Sequence, residues 1–236
     1  MTTPPTAWVF GTGGIGAAVR DRLAGEYRTV TFDRADDPGR AGTHHRVDVR
    51  DRVALATAAR DTVLRSGPPA VVVLAFGTVS PATVEDAEPD DVDRIVGDNF
   101  VGCVNVLHVL HRTPRPDTCV CLVVSSNAAQ VARPRQPLYA ATKAAVASLV
   151  RSLAPAWAPD GLRLVGVLPG TVTVSRNEER VRRQYPHAPA DPARPGGRLV
   201  TPGELADFLA GLVPHAHHLT GQLLTYDGGS TLGAAR

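Results

Sequence analysis

A short apolar run, Ala7–Phe10, leads directly into six residues of which four are glycine, GTGGIG (Gly11–Gly16), and a helical pattern begins at Ala17. A strand that turns through glycines straight into a helix is half of a βαβ unit. It commits the next strand to lie parallel, through a right-handed crossover. The glycines let backbone N–H groups close on a pyrophosphate, and the helix N-terminus favours its charge. Gly11, Gly13 and Gly16 fit G-x-G-x-x-G, with Thr12, Gly14 and Ile15 between them. The same alternation continues down the chain. Strands are predicted at Arg28–Phe32, His44–Val47, Ala70–Ala75, Thr118–Val124, Leu162–Leu168 and Gln222–Thr225, with helical patterns between them. The expected fold is α/β: about seven strands in a doubly wound parallel sheet with helices on both faces.

The length of 236 residues suits one domain, 1–236, of this kind, and no repeat, linker or second domain interrupts it. The net charge is +2 and the arginines are scattered among 23 acids, so no basic stripe points to nucleic acid. No apolar run reaches the 18 residues of a membrane span. The opening MTTPPTAWVF lacks a charged-then-apolar leader pattern, which makes the cytoplasm the default expectation. Cys103, Cys119 and Cys121 have neither disulfide nor metal-ligand spacing; Cys119 and Cys121 share a strand face and read as core. His215, His217 and His218 sit in a PHAHH segment read as a loop, and His108 and His111 share a helix face. Without paired carboxylates or cysteines they do not suggest a metal site.

Asp33 ends the second strand, seventeen residues after Gly16. An acid there accepts hydrogen bonds from the adenosine ribose and repels a 2′-phosphate. NAD(H) is therefore favoured, while Arg34, directly after it, keeps NADP(H) open. Of the 25 Lys and Arg residues, 24 are arginine. The single lysine, Lys143, marks a place where a guanidinium would not serve. On a helix it shares a face with Tyr139 at i, i+4. An ammonium beside a phenol favours the phenolate and makes a general acid/base usable near neutral pH.

Ser126, Tyr139 thirteen residues later, and Lys143 together resemble the Ser…Tyr-x-x-x-Lys signature of the classical short-chain dehydrogenase/reductase (SDR) family. The resemblance runs from Ala7 to Gly229 in the expected order and implies a Rossmann-like sheet and a soluble NAD(P)-dependent oxidoreductase. By it, Asp48 and Val49 would lie against the adenine. Asn99 would hold a water linking Lys143 to solvent, and Ser126 would hydrogen-bond the substrate oxygen while Tyr139 gives or takes its proton. Lys143 would also hold the nicotinamide ribose. Pro169, Gly170, Val172 and Thr173 would flank the nicotinamide, with Thr173 supporting the backbone at Val172. The family is commonly dimeric or tetrameric, so a homodimer or homotetramer is implied, with the alanine-rich helix after Tyr139 at the interface. Two departures stand out. The usual TGxxxGxG wants glycine where Phe10 stands, so the loop is one residue shorter or divergent. The usual Asn-Asn-Ala-Gly reads Leu74-Ala75-Phe76-Gly77.

Residues 174–200 form the least family-like part, a variable loop expected to cover the substrate. It carries Arg176, Arg180, Arg182, Arg183, Arg194 and Arg198 against Glu178, Glu179 and Asp191. The arginines read either as a solvated lid or as attraction for an anionic or carrier-bound substrate. Pro195, Gly196 and Gly197 read as its hinge. The expected activity is interconversion of an alcohol and a ketone, as in a ketoreductase. Two other readings share the scaffold: a non-redox lyase, isomerase or dehydratase, and a cofactor-sensing binding protein.

Overall fold

The computed structural model describes residues 3–36, 43–79, 82–174 and 195–232. Seven strands, β1 (Thr6–Phe10), β2 (Arg28–Asp33), β3 (Thr43–Arg46), β4 (Pro69–Leu74), β5 (Cys119–Val124), β6 (Leu162–Pro169) and β7 (Leu223–Tyr226), make one sheet. Its order is β3-β2-β1-β4-β5-β6-β7, and every neighbouring pair is parallel. β1 pairs with both β2 and β4, so the chain winds outward from β1 in one direction and then in the other. Where two neighbouring strands send their connections to opposite faces, a crevice opens at their carboxyl ends. That topology places the site.

The period of two along each strand divides the core. Trp8, Phe10, Val72, Leu74, Cys119, Cys121 and Val123 face one side, packed by α2 (Arg52–Ser66), α4 (Gly102–Arg112) and α5 (Pro137–Trp157). Ala7, Val9, Val71, Val73, Val120 and Leu122 face the other, under α1 (Gly14–Leu23), α6 (Pro202–Leu212) and α7 (Ala216–Leu219). Burial on both faces accounts for the near-continuous apolar strands. The three thiols are buried within this core, and burial pushes Cys103 and Cys119 up to about 12, where they are inert.

Local signals set the helix ends. Asp51 caps α2, accepting from the backbone N–H groups of Val53 and Ala54 at 3.0 and 2.9 Å, and Gly67 ends that helix at φ +81°. The helix expected over 89–112 is one path in three parts: α3 (Pro89–Val96), a π turn at Gly97–Val101, and α4. The PHAHH segment is not a loop; it forms a 3₁₀ turn at Val213–His215 followed by α7. No described helix is long and apolar enough to cross a membrane.

Candidate active site

The glycine turn folds back on itself. Gly11 has φ +95°, and a Cβ there would lie 2.9 Å from the Ala75 carbonyl oxygen. A Cβ on Gly16 would lie 1.7 Å from the Gly11 carbonyl oxygen, so no side chain fits at either place. This is the compact G-x-G-x-x-G form, and it needs no glycine at Phe10. Gly13 is the N-cap of α1 with open space beside it, and the first turn of α1 carries no acid. Its positive end is thus free for an anion.

An open cleft of about 700 Å³ lies over this turn. Gly11, Gly13, Gly14 and Ile15 line it, with Asp33 and Arg34 from the end of β2 and Asp48 and Val49 after β3. Ala75, Phe76 and Gly77 after β4 complete the wall. Thr12 instead turns away to Asp33, whose Oδ2 accepts from its backbone N–H at 2.6 Å and its hydroxyl at 3.0 Å. Asp33 Oδ1 accepts from Ala35 N–H at 3.0 Å. Arg34 donates to buried Asp98 at 3.3 Å, and Arg50 pairs with Asp48 at 2.7 Å while lying 3.6 Å from Asp98. The Arg50 hydrogen bond, outweighing partial burial, holds the Asp48 carboxyl below its usual range. A Cβ on Gly102 would lie 2.6 Å from Val49 and 3.3 Å from Phe76. Glycine there lets both reach the cleft wall.

A second cleft, about 980 Å³, shares Ile15, Ala75, Phe76, Gly77 and Val174 with the first, so the two are continuous. Ser126, Tyr139 and Lys143 line it, together with Pro169, Gly170 and Val172. Ser126 follows β5, and its Oγ accepts from Ala128 N–H at 3.1 Å. Tyr139 lies in the first turn of α5. One turn on, Lys143 is only 5% exposed, with Nζ 5.9 Å from the Tyr139 ring centre and 3.4 Å from the Val124 carbonyl. The Ser125 hydroxyl donates to the Lys143 carbonyl at 2.8 Å and pins α5 to the end of β5. Thr173 is placed one step back: its N–H and hydroxyl both donate to the Val200 carbonyl, at 2.9 and 3.4 Å, which steadies Val172.

Asn99 sits in the middle of the π turn and is 2% exposed. Such a turn adds one residue to a helical circuit and re-aims a side chain. Its Oδ1 accepts from Thr78 N–H at 2.7 Å, and Nδ2 donates to the Thr78 carbonyl at 2.9 Å and to Thr142 Oγ1 at 3.0 Å. Both amide N–H groups are therefore engaged in tying the loop after β4 to α5. A Cβ on Gly77 would lie 2.8 Å from Asn99 Oδ1 and 3.1 Å from Lys143 Nζ. Gly77, at φ +142°, is the residue that lets these two approach.

Four residues of the site escape sequence reasoning. Thr142 anchors Asn99, and Asp98 gathers Arg34 and Arg50. Asn127 and Arg133 line the second cleft, Arg133 donating to Asn127 Oδ1 at 2.9 Å. Their nearness in sequence to Asn99, Ser126 and Tyr139 is the signal that could have found them. Of the six loop arginines only Arg198 lies among the described residues, and it pairs with Glu204. Arg176, Arg180, Arg182, Arg183 and Arg194 lie outside them. The proposed hinge is anchored: Gly196 N–H donates to the Gly228 carbonyl at 2.8 Å.

Backbone donors over an uncapped helix end, an acid at the tip of β2 and a continuous cleft together fit a dinucleotide. Comparison with known proteins agrees. A family model described as Enoyl-(Acyl carrier protein) reductase matches residues 14–231. Oxidoreductase UcpA of Escherichia coli K12 is 33% identical over 196 residues, covering 78% of this chain and 74% of its own. Aldohexose dehydrogenase of Thermoplasma acidophilum superposes with a TM-score of 0.87 at 22% identity, covering 99% of this chain and 96% of its own. BdcA, solved with NADPH, gives 0.81 at 22% identity, covering 96% and 94%. The chain belongs to the classical short-chain dehydrogenase/reductase family of oxidoreductases.

Proposed function

We propose that this protein interconverts a secondary alcohol and a ketone, with NAD(H) preferred over NADP(H). One observation carries the reading: Ser126, Tyr139 and a buried Lys143 line a cleft continuous with the one over the glycine turn. Gly13, Gly14 and Ile15 would hold the pyrophosphate, Asp48 and Val49 the adenine, and Gly170 and Val172 the nicotinamide. That cofactor, when bound, supplies or accepts the hydride. Tyr139 holds the proton and gives it to the carbonyl oxygen during reduction. Ser126 Oγ already accepts from Ala128, so its own O–H is left to donate to the same oxygen. The Lys143 ammonium stabilises the charge left on the phenol oxygen, more effectively because it is out of water. Asn99, fixed beside Lys143, would complete the route by which the proton is replaced.

The charges around the ribose end support NAD(H). Asp33, Asp48 and Asp98 line the cleft, while Arg34 is directed to Asp98 and Arg50 to Asp48. A 2′-phosphate would meet an excess of carboxylate. BdcA shows that the fold also accepts NADPH, so the preference rests on these side chains and not on the fold. Self-association into a homodimer or homotetramer would cover the apolar groove between α4 and α5, where Leu107, Leu149, Leu153 and Trp157 line about 590 Å³.

The test mixes the protein with NADH or NADPH and a panel of ketones and follows the reduced cofactor by absorbance. Steady consumption with NADH preferred is expected. Tyr139→Phe should reduce turnover at least ~100-fold, the lower end of what general acid catalysis supplies, with NADH affinity nearly unchanged. Turnover that survives in this variant refutes the role. Conversion of substrate with no cofactor change would instead establish a lyase or isomerase. Binding without conversion would establish a sensor.

A further inference from the structure

The catalytic cleft holds a cation that the alcohol–ketone chemistry does not use. Arg133 lies in the loop between Ser126 and Tyr139 and lines the same cleft as both. Among the described residues its guanidinium has one hydrogen-bond partner, the neutral Asn127 Oδ1 at 2.9 Å, and no carboxylate within ion-pair distance. Its Nε is buried without a partner. A guanidinium has five N–H donors, so most of this group's capacity is unused. The acid nearest to it through the network does not neutralise it directly. Asp227, 5% exposed, accepts from Asn127 Nδ2 at 3.1 Å, Gly229 N–H at 2.9 Å, Ser230 Oγ at 2.8 Å and Thr231 N–H at 3.0 Å. Three of these donors converge on Oδ2 and the fourth reaches Oδ1, so both carboxylate oxygens are already engaged. The Asn127 amide thus spans the two charges, donating to Asp227 and accepting from Arg133. Gln136, also in the cleft, is the N-cap of α5 but makes no side-chain capping bond. Its backbone N–H donates to the Arg133 carbonyl at 2.8 Å, which sets the two residues on one turn.

Resting on the dehydrogenase reading, we infer that Arg133 is a specificity-determining residue that binds a carboxylate on the ketone or alcohol substrate, making oxo acids and hydroxy acids the substrate class. A planar guanidinium matches a carboxylate through two parallel hydrogen bonds, and a partly desolvated setting strengthens both. The distance from Arg133 to the reacting carbon selects how far the acid stands from the carbonyl. Arg133 takes no part in proton or hydride transfer.

The test uses three pairs of probes on the full chain with NADH bound: pyruvate, acetoacetate and 4-oxopentanoate, each against its methyl ester. Calorimetry gives the affinity of every probe for the protein–NADH complex, and cofactor consumption gives kcat and KM. At least one acid should bind about 10- to 100-fold tighter than its ester, the range of a hydrogen bond to a charged group. Arg133→Met should erase that difference through binding and KM, leaving ester affinity and kcat in place. Arg133→Lys should restore part of it. A variant that merely loosens the loop would weaken acid and ester alike, and that result overturns the proposal. So does a wild-type complex in which every ester binds as well as its acid, or in which no acid binds. Failure of the dehydrogenase reading looks different: no NADH binding, or no cofactor consumed with any ketone, charged or neutral.

Discussion

Asp33 shapes the glycine turn as well as the cleft wall it lines, because it holds Thr12 by two hydrogen bonds on one oxygen. Removing the carboxylate therefore does more than lift repulsion toward a 2′-phosphate. Asp33→Ala should weaken NADH and NADPH binding together, by roughly tenfold or more, the scale of losing charged hydrogen bonds. Asp33→Asn keeps an acceptor for Thr12 and should instead shift the ratio toward NADPH. Fluorescence titration of both cofactors separates the two outcomes. The place of Asp33 at the mouth of the cleft was legible from its position after an apolar strand. The tie to Thr12 was not, since it depends on how a 21-residue excursion returns. Asn99 shows the same limit. An asparagine among Val and Ile signalled a task, but its engagement with Thr78 and Thr142 is set by contacts across three elements.

Among the elements, the strands were the most legible, because burial on both faces writes them as apolar runs bounded by turn residues. Their ends differ from expectation by at most one residue, where pairing with a neighbour decides. The π turn was hidden: an extra residue in a helical circuit leaves no composition behind, and Gly97–Val101 reads as ordinary helix. The start of α6 was plain in hindsight. Thr201 and Glu204 form a reciprocal capping box, with the Glu204 carboxylate also pairing to Arg198. The Arg198 hydrogen bond, with help from Thr201, holds Glu204 down to about 2. Thr201→Ala should cost about 0.5–2 kcal/mol, which for a chain of this size lowers Tm by roughly 2–4 °C per kcal/mol. A thermal melt checks it. Because α6 packs beside α1, the loss should also loosen the helix that follows the glycine turn.

At the scale of the molecule, the bond from Asn127 to Asp227 joins residues a hundred positions apart and ties the tail to the loop after β5. Burial alone would push the Asp227 carboxyl up, but the hydrogen bonds from Asn127, Ser230, Gly229 and Thr231 outweigh it and the value is lowered. A lowered native value means that folding releases a proton from this group. Its stabilisation is complete above the ordinary aspartate range near ~4 and is lost as pH falls through the lower native value. Asp227→Asn should therefore destabilise the protein at neutral pH by about 1–3 kcal/mol, as for a broken buried polar network. The gap from wild type should close as the pH falls below 4, and denaturant melts at several pH values measure it. A gap independent of pH would show that the charge contributes nothing. The winding order was legible from alternation and from the resemblance together. The tie was not, because nothing near Asn127 names its partner.

The chain's single lysine has a practical consequence. Reagents that couple dyes or resins to amines find no side chain to attack except Lys143, which is buried at the centre of the proposed chemistry. Beyond the chain's α-amino group, which such reagents also label, every amine coupled to a side chain would therefore be this one, so activity lost in step with its labelling would report on the cleft and whatever fills the cleft would act as its shield.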